Sequence, residues 1–216
     1  MKTLKYLFLL AVILFAGKAN AQELRTEVFP LLNLDYPGLE KVKALHEEGK
    51  DADAAKALLT YYRHRTNVHH PDITDLSKVK ISKQEQKWAD DALEHTFFVH
   101  KGYQPSFNYG KDINWQYWPV KDNELRWQLH RHKWFTPMGK AYRVSGDEKY
   151  AKEWVYQYMD WIKKNPLVKV KKDEYELVSD GEIKGAAENV RFAWRPLEVS
   201  NRLQDQTGQF LYFVDS

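Results

Sequence analysis

Trp115, Trp118, Trp127 and Trp134, half of the eight tryptophans, fall close together, with Gln128, His130 and Arg131 among them and Arg195 further on. Indole rings can stack on the apolar faces of pyranoses, while amide and imidazole groups take hydroxyls. A guanidinium pairs with a carboxylate or sulfate through a planar fork of donors. This mixture of side chains suits recognition of an acidic sugar. It does not spell out bond breaking. HExxH, P-loop, GxGxxG and GxSxG patterns are missing. There is no Cys, which excludes thiolate metal sites and cysteine nucleophiles. His69-His70 lies in a polar stretch, His95 and His100 are badly spaced for one helical face, and no dense Asp/Asn calcium loop occurs. No catalytic residue, metal site or cofactor is therefore assigned from the residues alone.

The elements that must position these side chains read as helical nearly throughout. Leu39, Val42 and Leu45, then Ala54, Ala55, Leu58, Leu59 and Tyr62, form a short helical hairpin broken at Gly49. Ser82-x-x-Glu85 is a capping box that opens a helix carrying Trp88 and Ala92. Residues 96–120 lose the pattern and read as a long aromatic loop holding Trp115 and Trp118. One helix is expected from about Asp122 to Val144, kinked at Pro137. On it Trp127, Arg131, Trp134, Met138 and Ala141 would share a stripe beside a basic stripe of Arg126, His130, Lys133 and Lys140, read as solvated. Glu124 and Gln128 are the expected partners of Arg131. A stapling ion pair and a guanidinium presented in a cleft both fit it. The next helix, opened by Ser145-x-x-Glu148, has a broad apolar face of Tyr150, Ala151, Trp154, Val155, Tyr158, Trp161 and Ile162, which reads as core. The charged stretch 167–188 reads as an exposed loop, and Pro196 opens a last helix ending in the apolar run Phe210–Val214. That run either docks back or is covered by something beyond it.

The chain has 216 residues, 43% hydrophobic and 14% aromatic, too apolar for a disordered protein and enough for a sizeable core. Met1–Ala21 reads as a cleaved secretory signal: Lys2 and Lys5, an apolar stretch from Leu7 to Ala16, then Ala19-Asn20-Ala21. Residues 22–216 would be the exported domain, periplasmic or secreted. The formal net charge of +3 is misleading, because without Lys2, Lys5 and Lys18 the basic and acidic residues balance at 30 each. A nucleic-acid partner is not expected from that balance. A membrane partner is not expected either, since no later segment approaches the roughly 18 apolar residues of a spanning helix.

The stretch from Tyr109 to Trp134, YGKDINWQYWPVKDNELRWQLHRHKW, resembles polysaccharide lyase family 12, the heparan-sulfate lyases of the heparinase II/III group. Gly146–Tyr158, Trp194–Arg202 and Ala54–Arg63 are similar to the same family, and Trp127-x-Leu129-x-Arg131 looks like a signature of the wider group. The resemblance implies an all-α fold, the N-terminal part of an incomplete (α/α) toroid of helical hairpins that in the family precedes a β-sandwich. It implies β-elimination of an acidic polysaccharide such as heparan sulfate. The family's catalytic Asn, Tyr and His match no residue here, and Asn201 is not that Asn. The chain is therefore expected to be the leading part of a lyase, inactive without its C-terminal remainder. Trp115, Trp118, Gln128, His130, Arg131 and Arg195 are its candidate substrate contacts. A non-catalytic glycosaminoglycan-binding helical module is the alternative. A repeat scaffold for protein partners is disfavoured, because no fixed period recurs.

Overall fold

A computed structural model of the chain describes residues 26–66, 70–169 and 189–216. The expected signal segment Met1–Ala21 and most of the charged stretch 167–188 lie outside the described residues. The chain divides between Thr66 and Asn67 into two compact units. No described helix is long and apolar enough to cross a membrane.

In the first unit, a 3₁₀ segment Thr26–Leu31 precedes helices α1 (Glu40–Glu47) and α2 (Asp51–His64). Gly49 turns the chain between them at φ +73°, a left-handed conformation in which glycine carries no Cβ penalty. Phe29, Leu39, Val42 and Ala54 are its buried centre, with Leu45, Leu58 and Tyr61 packed around them. Leu59, expected on the inner face, is exposed, and Tyr61 takes the inward place.

The second unit runs through a 3₁₀ turn Leu76–Lys78, α3 (Lys83–Leu93), strands β1 (Thr96–Phe97) and β2 (Phe107–Asn108), α4 (Asn123–Leu129), α5 (Phe135–Ser145), α6 (Lys149–Lys164), a π-helical turn Asn189–Ala193 and α7 (Pro196–Phe213). The capping box forms as read: Ser82 Oγ accepts from Glu85 N, and the Glu85 carboxylate accepts from Ser82 N. Helix α5 is the hub and packs against α3, α6 and α7. Its approach to α7 is close enough that a Cβ on Gly139 would lie 2.7 Å from Tyr212.

Several expectations are corrected. The aromatic stretch 96–120 contains a short antiparallel pair, with Thr96 opposite Asn108 and Phe97 opposite Phe107. Some of its rings turn inward: Phe97 stacks on Trp134 at 4.1 Å and lies 5.7 Å from Trp115, all three in the core, whereas Tyr117 is exposed and Trp118 half-buried. The single helix 122–144 is two helices, separated by a turn at His130–Trp134 in which His132 adopts φ +53°. Pro137 then falls in the first turn of α5, where its missing N–H has no partner to lose, so it causes no kink. Ser145 does not cap α6; Asp147 Oδ1 accepts from Lys149 N instead. The apolar run Phe210–Val214 docks back, with Phe213 stacked on Trp154 at 4.7 Å.

Two buried polar side chains hold this core in register. Gln157 is fully buried on α6; it accepts from Trp134 Nε1 (2.8 Å) and donates to the Ala92 carbonyl and to Glu153. His132 sits among Trp115, Trp134, Phe135, Tyr158 and Trp161, and neither ring nitrogen has a hydrogen-bond partner. Burial holds the His132 imidazole well below its ordinary range and that of His130 down to about 3, with the Arg202 charge adding to both.

Two outcomes follow from these contacts. Gln157→Leu strands a buried indole N–H and a carbonyl, so urea unfolding should show a loss of about 2–4 kcal/mol; a loss near zero would mean the network is not tight. The unfolded chain protonates both imidazoles near pH 6.5 while the folded chain keeps them neutral. Stability should therefore fall below about pH 6.5, by about 1.4 kcal/mol per pH unit per ring. Melting temperatures between pH 7 and 5 test this. The decline should be shallower in His130→Gln, and an equal slope in that variant would contradict it.

Candidate functional site

The cluster with chemical potential lies where the end of α4 meets the start of α7. Asp122 caps the start of α4 by accepting from Glu124 N, and Pro196 occupies the first position of α7, so both helix starts are fixed locally. Between them lies Glu198, which has no solvent exposure at all. Its Oε2 accepts from Arg195 Nε (2.6 Å), and its Oε1 accepts from Arg195 (2.8 Å) and from Arg131 (2.9 Å). A buried carboxylate is costly unless its charge and lone pairs are met, and here two guanidiniums meet them.

The aromatic walls belong to the same cluster. The Arg195 guanidinium lies 3.8 Å over the Trp127 ring, and Trp127 Nε1 points at the Arg191 carbonyl. Arg126 stacks on Phe192 at 3.7 Å and on Trp118 at 5.0 Å. Burial, with Arg191 nearby, lowers Arg126 to about 10, so it stays charged at neutral pH. Trp118 Nε1 donates to the Asp122 carbonyl. Glu124 accepts from Gln128 Nε2 at 2.7 Å and lies 3.5 Å from Arg131. Arg126, Arg131 and Arg195 gather here with Glu124 and Glu198 beside two indoles.

The structure separates the sequence-predicted residues. Arg131, Arg195, Gln128 and Trp118 come together with Trp127. Trp115 does not: it is 3% exposed, part of the core, and donates to Asp160 at 2.8 Å, so its faces are not an open platform. His130 is also interior at 1% exposure, and its Nδ1 accepts from Trp161 Nε1 at 3.0 Å. A neutral ring with its acceptor engaged cannot contact ligand or take a proton. The basic stripe is not solvated as a set: Arg126 is buried against rings, Lys133 pairs with Asp205 and Lys140 with Glu85. Arg131 is paired as a charge beside aromatic rings must be, but its shorter ion pair is with Glu198, and the expected partner Glu124 is the longer one. Glu198 and Arg126 were missed as site residues. The only sequence signal for Glu198 is its place one turn beyond Arg195. Among the described residues, no group of His, Asp or Glu comes together as a metal site.

The cluster can grip an anion and stack a ring. Its stability role is separable from that of the rim. Glu198→Ala leaves two guanidiniums without their buried partner and should cost about 3–5 kcal/mol in urea unfolding. Lys133→Ala breaks only the half-exposed pair with Asp205 and should cost below about 1 kcal/mol. Equal losses in the two variants would contradict the central place given to Glu198.

Comparison with known proteins identifies the family. The family described as heparinase II/III N-terminus matches residues 28–216. A heparin-sulfate lyase of Bacteroides stercoris is 78% identical over 215 residues, covering 100% of this chain and 32% of that protein. A heparin-sulfate lyase of Pedobacter heparinus is 47% identical over 223 residues, covering 100% of this chain and 31% of that one. Among solved structures, a heparinase III with methylated lysines superposes with a TM-score of 0.81 at 82% identity, covering 91% of this chain and 30% of that one. The heparan sulfate lyase of Pedobacter heparinus gives 0.73 at 48% identity, with 87% and 28% covered. The chain thus spans about a third of the length of the curated relatives it matches. Matched over nearly all of its described length, the chain belongs to the heparinase II/III family and corresponds to that family's N-terminal region.

Proposed function

We propose that the chain forms one flank of a trough for heparan sulfate in an exported polysaccharide lyase. The observation that carries this reading is the similarity of the whole of this chain to about a third of the length of heparin-sulfate lyases. On this reading its helices are the opening hairpins of an (α/α) toroid, and the protein works in the periplasm once Met1–Ala21 is removed. The reaction is β-elimination at a uronate. A base takes the C5 proton, the electron pair forms the C4–C5 double bond, and the C4–O bond breaks as an acid protonates the departing oxygen. Positive charge or a hydrogen-bond donor at the carboxylate stabilises the anion that builds.

The cluster supplies part of this. Arg195 is a quarter exposed and Arg131 less so, giving guanidinium edges for carboxylate or sulfate. Trp127 and Trp118 are half-buried and offer ring surface for pyranose stacking. Gln128 orients Glu124 at the rim. No side chain of the cluster is placed as base or acid, and His130 and His132 are neutral and enclosed. The chain alone therefore binds substrate without cleaving it.

The test is binding of a heparan sulfate oligosaccharide to the purified chain, with ultraviolet absorbance recorded for unsaturated uronate. Binding without new absorbance is expected. Arg195→Ala should weaken affinity about tenfold, or ~1.4 kcal/mol, at unchanged helical content. New absorbance from this chain alone, or unaltered affinity in Arg195→Ala, would overturn the reading.

A further inference from the structure

The N-terminal unit carries a groove that the cluster around Glu198 does not include. Along α2, Asp53, Lys56, Ala57, Thr60, Tyr61 and His64 recur at helical spacing on one face. Along the start of α1, Gly38, Lys41, Val42 and Leu45 do the same. Together with Arg65 these two faces enclose a cleft of about 650 Å³, within the span of about 300–1,000 Å³ usual for ligand sites.

Its floor is apolar and its rim is cationic. Val42, Leu45, Ala57 and Tyr61 belong to the core of this unit and form the floor. The Tyr61 ring is seated against Gly38, where a Cβ would come within 2.9 Å of it and φ is +94°, so the backbone there suits glycine on both counts. At the rim stand Lys41, Lys56, His64 and Arg65. Lys56 meets the one acid of the groove, Asp53, at 3.5 Å with both side chains well exposed, a pair weak enough to exchange for a ligand. Arg65 lies 4.8 Å over the Tyr62 ring, which holds the guanidinium at the end of α2. His64 Nδ1 donates to the Thr60 carbonyl at 2.8 Å.

We infer that this groove is a second saccharide site, which takes a sulfated or carboxylated segment of the same acidic polysaccharide, its rings over Tyr61 and its anions at Lys41, Lys56 and Arg65. This rests on the reading given under Proposed function. Charge complementarity selects the ligand class, because three permanent cations face one carboxylate. The aromatic and aliphatic floor favours a sugar chain over a simple inorganic anion.

The test is equilibrium binding of a labelled heparan sulfate oligosaccharide to the full chain over a range of salt. A triple variant, Lys41→Ala with Lys56→Ala and Arg65→Ala, should bind about tenfold more weakly. Its dependence of log affinity on log salt should be shallower by roughly two to three, as fewer counterions are released. Lys43→Ala, whose side chain pairs instead with Asp35 and Glu47, should bind as the unaltered chain does. If the triple variant keeps full affinity while Arg195→Ala loses it, the groove is overturned and the reading of the Glu198 cluster stands. If the unaltered chain binds no oligosaccharide, both fall. Displacement by a DNA duplex as effective as by the saccharide would overturn the sugar assignment in favour of a general polyanion surface.

Discussion

A single carboxylate with no access to water sets the terms for the functional part of this fold. Glu198 can be ionised in the interior only because Arg195 grips it from within its own helix and Arg131 reaches it from the end of α4. That requirement fixes the start of α7 against the turn after α4, and with it the positions of Trp127 and Trp118. The arrangement is a strong constraint whichever way its net energy falls, since removing Glu198 leaves two guanidiniums without their buried counter-charge. The same contacts that secure the fold also present guanidinium edges and ring faces at the surface. Under the proposed function, stability and recognition therefore share the same atoms.

Arginine here is used by stacking as much as by pairing. Arg126 lies between Trp118 and Phe192, Arg195 covers Trp127, and Arg202 lies over Trp161 and near Trp194 while donating to the His130 carbonyl. Burial lowers Arg126 and Arg202 alike to about 10, which still leaves both charged at neutral pH. Guanidinium tolerates such sites because its charge is delocalised and weakly hydrated, which a lysine ammonium is not. The same burial lowers His130 and His132 in the same direction, but from a lower ordinary range, so these two rings are neutral where the guanidiniums stay charged.

What the sequence made legible was local. The capping box at Ser82 and Glu85, the helix start at Pro196 and the end of α5 beside Val144 depend on a few neighbouring residues, and each lies within a residue of where the pattern puts it. The break after Leu129 was not legible. Leu129 to Trp134 holds no Gly or Pro and continues a helical pattern, yet His132 takes a left-handed conformation so that its ring and that of Trp134 both enter the core. A helical wheel drawn across that break puts Trp127 and Trp134 on one stripe, whereas Trp134 is interior and Trp127 lies half-buried against Arg195. For the site, the need of Arg131 for a partner was evident. The identity of that partner, 67 residues on, was not, because nothing local ties Arg131 to Glu198. Trp115 was misplaced for a related reason: a stretch rich in Gly and Pro reads as a surface loop, but its rings are drawn inward by Phe97 and Asp160.

The most direct measurement is a crystal structure of this chain with a bound heparan sulfate oligosaccharide. The account predicts a uronate carboxylate or a sulfate within hydrogen-bond distance of the Arg195 guanidinium, and a pyranose ring against Trp127 or Trp118. An oligosaccharide seated elsewhere, with Arg195 and Arg131 still turned only to Glu198, would contradict it.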